Sequence, residues 1–201
     1  MNGSTCRTLL LTVASTMTIG STAALGGVIN FDNLSDSTFV TTQYAGLTFT
    51  NTIVLTSGIS LNELDFPPRS GLNVASDSGG AITILFSSPI SNFLSYFTYT
   101  VPVTIQGFSA SNILLASATS LFSTNTLTGG SVGSVPNELL QIASGAGITR
   151  IVITGDPAGG SFTLDDATFT TGQVGVAPEP SMLALTGLSL VLLVGFAKRR
   201  F

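Results

Sequence analysis

Short apolar runs separated by turn residues fill the middle of the chain. Large apolar residues recur at every second position in Ile82/Ile84/Phe86, Val101/Val103/Ile105 and Ile151/Ile153, and this period of two is typical of half-buried strands. Pairs such as Gly79-Gly80 and Asp156-Pro157 interrupt the runs with turn signals. No convincing helical periodicity occurs in this part of the sequence.

Ten strands are predicted from this pattern, at Val28–Phe31, Leu47–Thr50, Ile53–Thr56, Ala81–Phe86, Phe93–Tyr99, Val103–Phe108, Ile113–Thr119, Leu139–Ile142, Ile148–Thr154 and Ser161–Phe169. Closely spaced strands without helices indicate an all-β fold. We expect a jelly-roll-like β-sandwich of about nine or ten strands over residues 27–173. Glu63–Gly80 and Ser123–Asn137 are expected to be long loops, which in compact β domains often carry function.

The first 26 residues have a different pattern. Arg7 precedes a moderately apolar stretch, Leu9–Ile19, and the small residues Ser21–Ala24 follow it. This order predicts a helical export signal, residues 1–26, that is cleaved near Ala24. A buried N-terminal helix is the alternative, because threonine and serine dilute the apolar stretch.

The last residues, 174–201, combine three features. Pro178-Glu179-Pro180 is followed by Ser181–Ala197, which has no charged residue, and then by Lys198-Arg199-Arg200. The uncharged run is at the short limit for a membrane-spanning helix, and flanking cations stay on the cytoplasmic side. The two prolines keep the preceding segment extended. An ordinary C-terminal membrane anchor is the alternative interpretation.

In order, spacing and position this segment resembles the PEP-CTERM sorting signal of Gram-negative bacteria. The matching residues are Pro178, Glu179, Pro180, the span Ser181–Ala197 and the cations Lys198, Arg199 and Arg200. The resemblance implies an exosortase-type enzyme as partner, transient residence in the inner membrane, processing at the Pro-Glu-Pro motif, and a final place at the cell surface or outside the cell. The domain would then have a structural or adhesive role in an exopolysaccharide or biofilm matrix.

The composition of the chain argues against several kinds of ligand and site. Only 8% of the residues are charged, against about a quarter in typical domains. Between Val28 and Ala177 there are nine acidic and two basic residues, a net charge of −7, which argues against nucleic-acid binding and suits hard cations such as calcium. Cys6 is the single cysteine and histidine is absent. An internal disulfide, a zinc site and a cysteine–histidine nucleophile are therefore excluded.

The segment Phe162–Phe169 carries two adjacent carboxylates, Asp165 and Asp166. Strict alternation predicts that Asp166 shares a face with Phe162 and Leu164, where an ionised carboxylate is costly unless it is paired or binds a metal. The first strand, which leads into Asp32, is the expected neighbour of this last strand.

Together, the "SFTLDD" run and the opening "FD" loosely resemble secreted β-sandwiches of the galactose-binding-like and carbohydrate-binding-module type. That resemblance implies a structural calcium held by Asp32 with Asp165 or Asp166, and backbone carbonyls completing the shell. The alternative is that Asp165 and Asp166 accept backbone hydrogen bonds.

Other candidate groups give weaker signals. In Phe93–Tyr99, the side of the strand with Phe93, Phe97 and Tyr99 is expected to face the core. Tyr96 lies on the other side and is a candidate contact for extracellular polysaccharide, although a core role for these aromatic residues is the alternative. Paired carboxylates of a glycoside hydrolase would come from Glu63, Asp65, Asp77 or Glu138, but no pattern brings two together. We expect a non-catalytic protein, with a carbohydrate-binding module and a polysaccharide hydrolase as rival interpretations.

Overall fold

The computed structural model describes residues 26–171. These form nine strands and no helix: β1 (Gly26–Ile29), β2 (Leu47–Thr50), β3 (Thr52–Thr56), β4 (Asn73–Asp77), β5 (Ile82–Tyr99), β6 (Thr104–Phe108), β7 (Leu114–Thr119), β8 (Glu138–Thr154) and β9 (Phe162–Thr171). The all-β prediction is confirmed for this part of the chain, and the arrangement is consistent with a β-sandwich.

Two long strands, β5 and β8, organise the sheet. The first half of β5 pairs with β2 on one side and with the second half of β8 on the other. The second half of β8 pairs in turn with β6, and β6 pairs with β7. The second half of β5 pairs with β9 and with the first half of β8, and the sheet continues from β9 to β4 and β3. We call these the β2 half and the β9 half. A register break between Leu85 and Ile90 separates them.

Two pairs of predicted strands are each one strand in the structure, which leaves eight of the ten, and the unpredicted β4 is the ninth. Ala81–Phe86 and Phe93–Tyr99 are parts of one strand, because Ser87-Ser88-Pro89 forms an irregularity within β5 and not a turn between strands. Leu139–Ile142 and Ile148–Thr154 are likewise joined in β8.

Strand β4 was missed because its residues do not alternate. All five side chains of Asn73–Asp77 are buried, so the segment has no solvent-facing side that would give a period of two. It lies in the stretch Glu63–Gly80, which was predicted to be a loop. The loop prediction is therefore wrong for Asn73–Asp77.

The apolar core packs against both halves. Phe93, Phe97 and Tyr99 are fully buried, as predicted, and Phe97 contacts Phe162 with ring centroids 6.1 Å apart. The β2 half contributes fully buried isoleucines, Ile82, Ile84, Ile105, Ile151 and Ile153. Burial of such side chains stabilises the fold by about 1.5–3 kcal/mol each.

The first and last described strands are neighbours, as predicted. β1 pairs antiparallel with β9, with Gly26 opposite Thr170 and Ile29 opposite Ala167. Both ends of the described chain therefore lie at the same end of the domain. Within residues 26–171 no helix has the length and apolarity needed to cross a membrane. The export-signal helix and the predicted span Ser181–Ala197 lie outside the described residues, as do Pro178, Glu179, Pro180 and the three terminal cations.

Candidate functional site

The four domain residues that the sequence singled out all contact one short segment, Arg69–Asn73, which we call the Arg69 loop. Asp165 and Asp166 bind its first two residues, Asp32 binds its last two, and Tyr96 stacks with Arg69. The loop leads directly into β4. The structure thus brings the predicted residues together, and their common partner lies within Glu63–Gly80, which was predicted to be a long loop of a kind that often carries function.

Asp165 is the buried carboxylate of the pair. It is 1% exposed, and its Oδ2 accepts hydrogen bonds of 2.9 Å from the backbone N–H groups of Arg69 and Ser70. The prediction that Asp166 points into apolar surroundings is wrong. Asp166 has a φ of 48°, at a register shift of β9 against β5, and this bulge breaks the alternation assumed from Phe162 and Leu164.

Asp166 and Asp32 hold the loop from its two sides. Asp166 Oδ1 accepts a 2.7 Å hydrogen bond from Ser70 Oγ. Asp32 Oδ1 accepts bonds of 3.0 and 3.1 Å from the N–H groups of Leu72 and Asn73. Gly71, between them, has a φ of 53°, and a Cβ there would lie 2.1 Å from both Asp32 carboxylate oxygens. Only glycine fits this position without displacing Asp32.

The three carboxylates implied as calcium ligands bind N–H and O–H groups of the protein. Asp32 Oδ1, both carboxylate oxygens of Asp165, and Asp166 Oδ1 each accept at least one such donor. Among the described residues, no group of three or more acidic, histidine or cysteine side chains is placed to hold a metal. The hydrogen-bonding alternative accounts for these carboxylates.

Two buried polar residues of β4 complete the junction. Asn73 was not selected from the sequence, and Asp77 was considered only as a carboxylate for glycoside hydrolysis. Asn73 Nδ2 donates to the carbonyls of Phe31 and Leu34 at 3.1 and 2.8 Å. Asp77 accepts from Ser161 N–H, Ser161 Oγ and Phe162 N–H at 2.9–3.1 Å. Their only sequence signal was a polar residue at each end of a short Val-Ala-Ser segment.

Tyr96 is half-buried on the outer face of the β9 half, as predicted. The guanidinium of Arg69 lies over its ring, 4.4 Å from the centroid, a favourable cation–π distance. One ring face is thus occupied by Arg69, so a sugar cannot stack there while Arg69 is in place. The domain's other cation, Arg150, similarly lies 4.1 Å from the ring centroid of Phe108.

Polar and apolar side chains of β5 and β8 surround this pair. Leu139 stands opposite Tyr96 in the sheet, and Gln141 stands opposite Leu94. Gln141 Nε2 donates a 2.6 Å hydrogen bond to Asn92 Oδ1. Leu139 is 47% exposed, and Gln141 and Arg69 are also exposed. We call this surface, formed by Arg69, Asn92, Leu94, Tyr96, Leu139 and Gln141, the Tyr96 face.

The carboxylates considered for glycoside hydrolysis serve separate structural contacts. Glu63 accepts from Gly58 N–H at 3.3 Å, and Asp65 accepts from Asn62 Nδ2 and Thr128 Oγ1. Glu138 accepts from Leu121 N–H at 2.8 Å and from the Tyr99 hydroxyl. Burial and this carboxylate raise the pKa of Tyr99 to about 12. Each of these carboxylates therefore fixes a loop or a strand end.

We predict that Asp165 makes stability fall as the pH rises from about 4 to about 6. Burial raises its pKa from 3.8 to about 6, although hydrogen bonds from the N–H groups of Ser70 and Asp166 oppose the shift. The folded state then binds the proton more tightly than the unfolded state, so this contribution is fully present below pH 4 and is lost through pH 6. Urea unfolding of the full chain at pH 4–7 measures it.

Asp165→Asn should flatten that dependence, whereas Asp156→Asn, at an exposed loop position, should leave it unchanged. Hydrogen bonds lower the pKa of Asp36 and Asp65, so their contributions change below pH 4, outside this window. Equal slopes in the wild type and Asp165→Asn would contradict the prediction.

No protein-family model matches the chain, and no curated protein matches it. Solved structures similar to it include the K2 cleaved adhesin domain of Lys-gingipain, with a TM-score of 0.48 and 13% identity over 73% of this chain and 100% of that chain. The K1 cleaved adhesin domain of Lys-gingipain from Porphyromonas gingivalis W83 gives 0.41 and 9%, over 74% and 99% of the two chains. The carbohydrate-binding module CBM29_1 from Piromyces equi gives 0.42 and 10%, over 75% and 93%. Likenesses at this level say nothing about what this chain binds.

Proposed function

We propose that this chain is an exported, non-catalytic adhesive protein of the bacterial cell surface or extracellular matrix. Residues 1–26 direct export, Ser181–Ala197 holds the chain in the inner membrane, and an exosortase-type enzyme processes it at Pro178-Glu179-Pro180. The jelly-roll-like β-sandwich is the part that acts outside the cell. Sorting rests on the sequence of the C-terminal segment, which combines the tripeptide, the uncharged run and the three cations.

One structural observation supports the non-catalytic part of this proposal. The carboxylates of the domain accept hydrogen bonds that fix loops and strand ends, and Asp165, Asp32 and Asp77 each receive two or more donors. A catalytic acid or base needs a proton-transfer path to a substrate, and these groups face backbone N–H groups. Their arrangement is that of a rigid scaffold.

A second candidate function is polysaccharide binding through the Tyr96 face. That face combines exposed amide and guanidinium donors with Leu94, Leu139 and an aromatic ring. Amides and guanidinium groups hydrogen-bond to sugar hydroxyls, and apolar side chains contact the faces of sugar rings. Because Arg69 covers one face of Tyr96, binding would use the polar rim of the ring and the neighbouring Gln141.

Mass spectrometry of the mature protein from its native host tests the sorting proposal. We expect a C-terminus near Pro178–Pro180, and we expect Pro178→Ala/Pro180→Ala to keep the residues up to Phe201 and to accumulate in the inner membrane. Pro157→Ala, an exposed proline of the domain, is the matched control and should be processed normally. An intact Phe201 in the wild type would refute the processing step.

The same mature protein, applied to a glycan array, separates the two candidates. Binding that is lost in Gln141→Ala and Tyr96→Ala, but kept in Thr48→Ala on the other half, favours the polysaccharide function. If neither the wild type nor any of the three variants binds a glycan, adhesion through protein contacts is favoured.

A further inference from the structure

A cleft of about 680 Å³ lies beside the Arg69 loop, on a part of the domain that neither candidate function uses. Ile59 and Leu72 line this cleft and are 73% and 62% exposed, and the half-buried Leu34 lines it with them. Single exposed apolar residues are ordinary, whereas three aliphatic side chains on one concave surface indicate a binding site. None of the described residues that line the cleft is aromatic. We call it the Ile59 cleft.

Hydrogen bonds between its walls hold the Ile59 cleft in one shape. Leu72 O accepts a 2.9 Å bond from Ser57 N–H, and Leu72 N–H donates to Asp32 Oδ1 at 3.0 Å. Asp36 Oδ1 accepts a hydrogen bond from Ser60 Oγ, which joins the turn after β1 to the turn after β3. A preformed site loses little conformational freedom when it binds a ligand.

Two carboxylates, Asp32 and Asp36, line the cleft together with these aliphatic side chains. Hydrogen bonds from Ser60 and Ser37 lower the pKa of Asp36, so this carboxylate is ionised at neutral pH. The two arginines of the described chain stack on aromatic rings and form no ion pair with either carboxylate. The net charge of −7 over Val28–Ala177 adds to the attraction for a positively charged ligand.

The oxygens that remain free favour an ammonium over a guanidinium. Asp32 Oδ1 accepts two N–H donors, whereas no donor within residues 26–171 binds Asp32 Oδ2. Asp36 Oδ1 likewise accepts two donors. A bidentate guanidinium needs both oxygens of one carboxylate, but an ammonium binds a single oxygen as a point charge. The methylene groups of a lysine side chain pack on apolar surface such as Ile59 and Leu72 while its ammonium reaches a carboxylate.

We propose that the Ile59 cleft binds a lysine side chain of a partner protein. Its aliphatic wall takes the stem of that side chain, and its carboxylates take the ammonium. An amino sugar carries its ammonium on a rigid ring, and the described lining offers no aromatic side chain for such a ring to stack on. The proposal deepens the adhesive role by naming the chemistry of the partner, and it rests on that role in placing the partner outside the cell.

Fluorescence anisotropy of labelled peptides, titrated with the full chain in neutral detergent, tests this proposal. The probe is an amidated Gly-Gly-Lys-Gly-Gly peptide with a neutral dye at its N-terminus. Norleucine in place of lysine removes the ammonium, and diaminopropionic acid removes most of the stem. Each of these two peptides should bind about tenfold more weakly than the lysine peptide. The arginine peptide should bind about threefold more weakly, because its bidentate mode is blocked.

Two variants of the chain separate the cleft from the overall charge. Ile59→Lys fills the cleft with the chain's own ammonium and should weaken binding of the lysine peptide about tenfold. Val132→Lys is the matched control, because Val132 is fully exposed, lies outside the cleft lining and gives the same change in net charge. This variant should bind like the wild type. Equal losses in the two variants, or equal binding of the norleucine and lysine peptides, would overturn the proposal.

A dye-labelled disaccharide of glucosamine is the probe for an amino-sugar polymer. If it bound more tightly than the lysine peptide, and Ile59→Lys abolished that binding, the cleft would be a polysaccharide site and the lysine proposal would fall. Processing is measured separately, from the mass of the C-terminus in the native host. Lysine binding by a chain that keeps Phe201 leaves this proposal standing without the processing step. No lysine binding by a chain that is processed normally overturns this proposal alone.

Discussion

Gly71→Ala is expected to lower the free energy of unfolding by about 3 kcal/mol. Alanine at a φ of 53° costs about 1–2 kcal/mol. Its Cβ would also lie 2.1 Å from the Asp32 carboxylate oxygens. Asp32 can rotate away, but it then loses the bonds to Leu72 N–H and Asn73 N–H, each worth about 1 kcal/mol. Urea unfolding of the full chain, followed by circular dichroism, measures the difference.

Gly58→Ala is the matched control for backbone strain. Gly58 has a φ of 76°, and a Cβ there would meet nothing within 4 Å. This variant should lose only about 1–2 kcal/mol. In an Asp32→Ala background Gly71→Ala should cost no more than Gly58→Ala, because the carboxylate is already absent. If Gly71→Ala cost the same with and without Asp32, the role assigned to this carboxylate would be wrong.

Asn125→Ala should have an effect of similar or larger size, about 3–5 kcal/mol. The side chain is fully buried, accepts a 2.7 Å bond from Tyr99 N–H, and donates to Phe97 O and Val135 O at 2.8 and 3.0 Å. Alanine leaves three backbone groups without partners, at about 1–3 kcal/mol for each group that water does not reach. The midpoint of thermal unfolding should fall by several degrees or more.

Two further variants test whether the loss of stability comes from the buried amide of Asn125. Asn125→Asp keeps an acceptor for Tyr99 N–H but turns a carboxylate oxygen towards carbonyl oxygens, so it should be at least as unstable as Asn125→Ala. Asn30→Ala removes an exposed amide whose Oδ1 accepts one 3.4 Å bond, and it should change stability by less than about 0.5 kcal/mol. An unchanged midpoint for Asn125→Ala would show that this amide does not hold the loop between β7 and β8, residues 120–137.

The alternation of apolar residues predicted most of the fold because most strands have one buried face. Thr104–Phe108 alternates between half-buried and buried positions, and its strand was found to within one residue. The pattern fails where both faces of a strand are covered, as in Asn73–Asp77. It also fails at irregularities, because nothing in Ser87-Ser88-Pro89 distinguishes a bend within a strand from a turn between two strands.

The candidate site could be predicted only as a set of residues. Asp32, Asp165, Asp166 and Tyr96 were selected from the sequence, and the structure brings them to one loop. The common partner could not be predicted, since Arg69 and Ser70 lie about 95 positions from Asp165 in the chain. Because of the bulge at Asp166, Asp165 is the buried carboxylate and not Asp166. A bulge of one residue has no periodicity, so the sequence pattern could not predict it.

The placement of the two arginines has a consequence for the environment in which the domain can work. Arg69 lies over Tyr96 and Arg150 over Phe108, while the buried carboxylates bind N–H groups at about 2.9 Å. Dissolved salt screens charges that are separated by water, but it has little effect on the short hydrogen bonds of the buried carboxylates Asp77 and Asp165. Rising salinity therefore weakens the repulsion between copies and leaves the internal contacts of each copy intact. The stability of the fold is therefore expected to change little as the salt concentration rises.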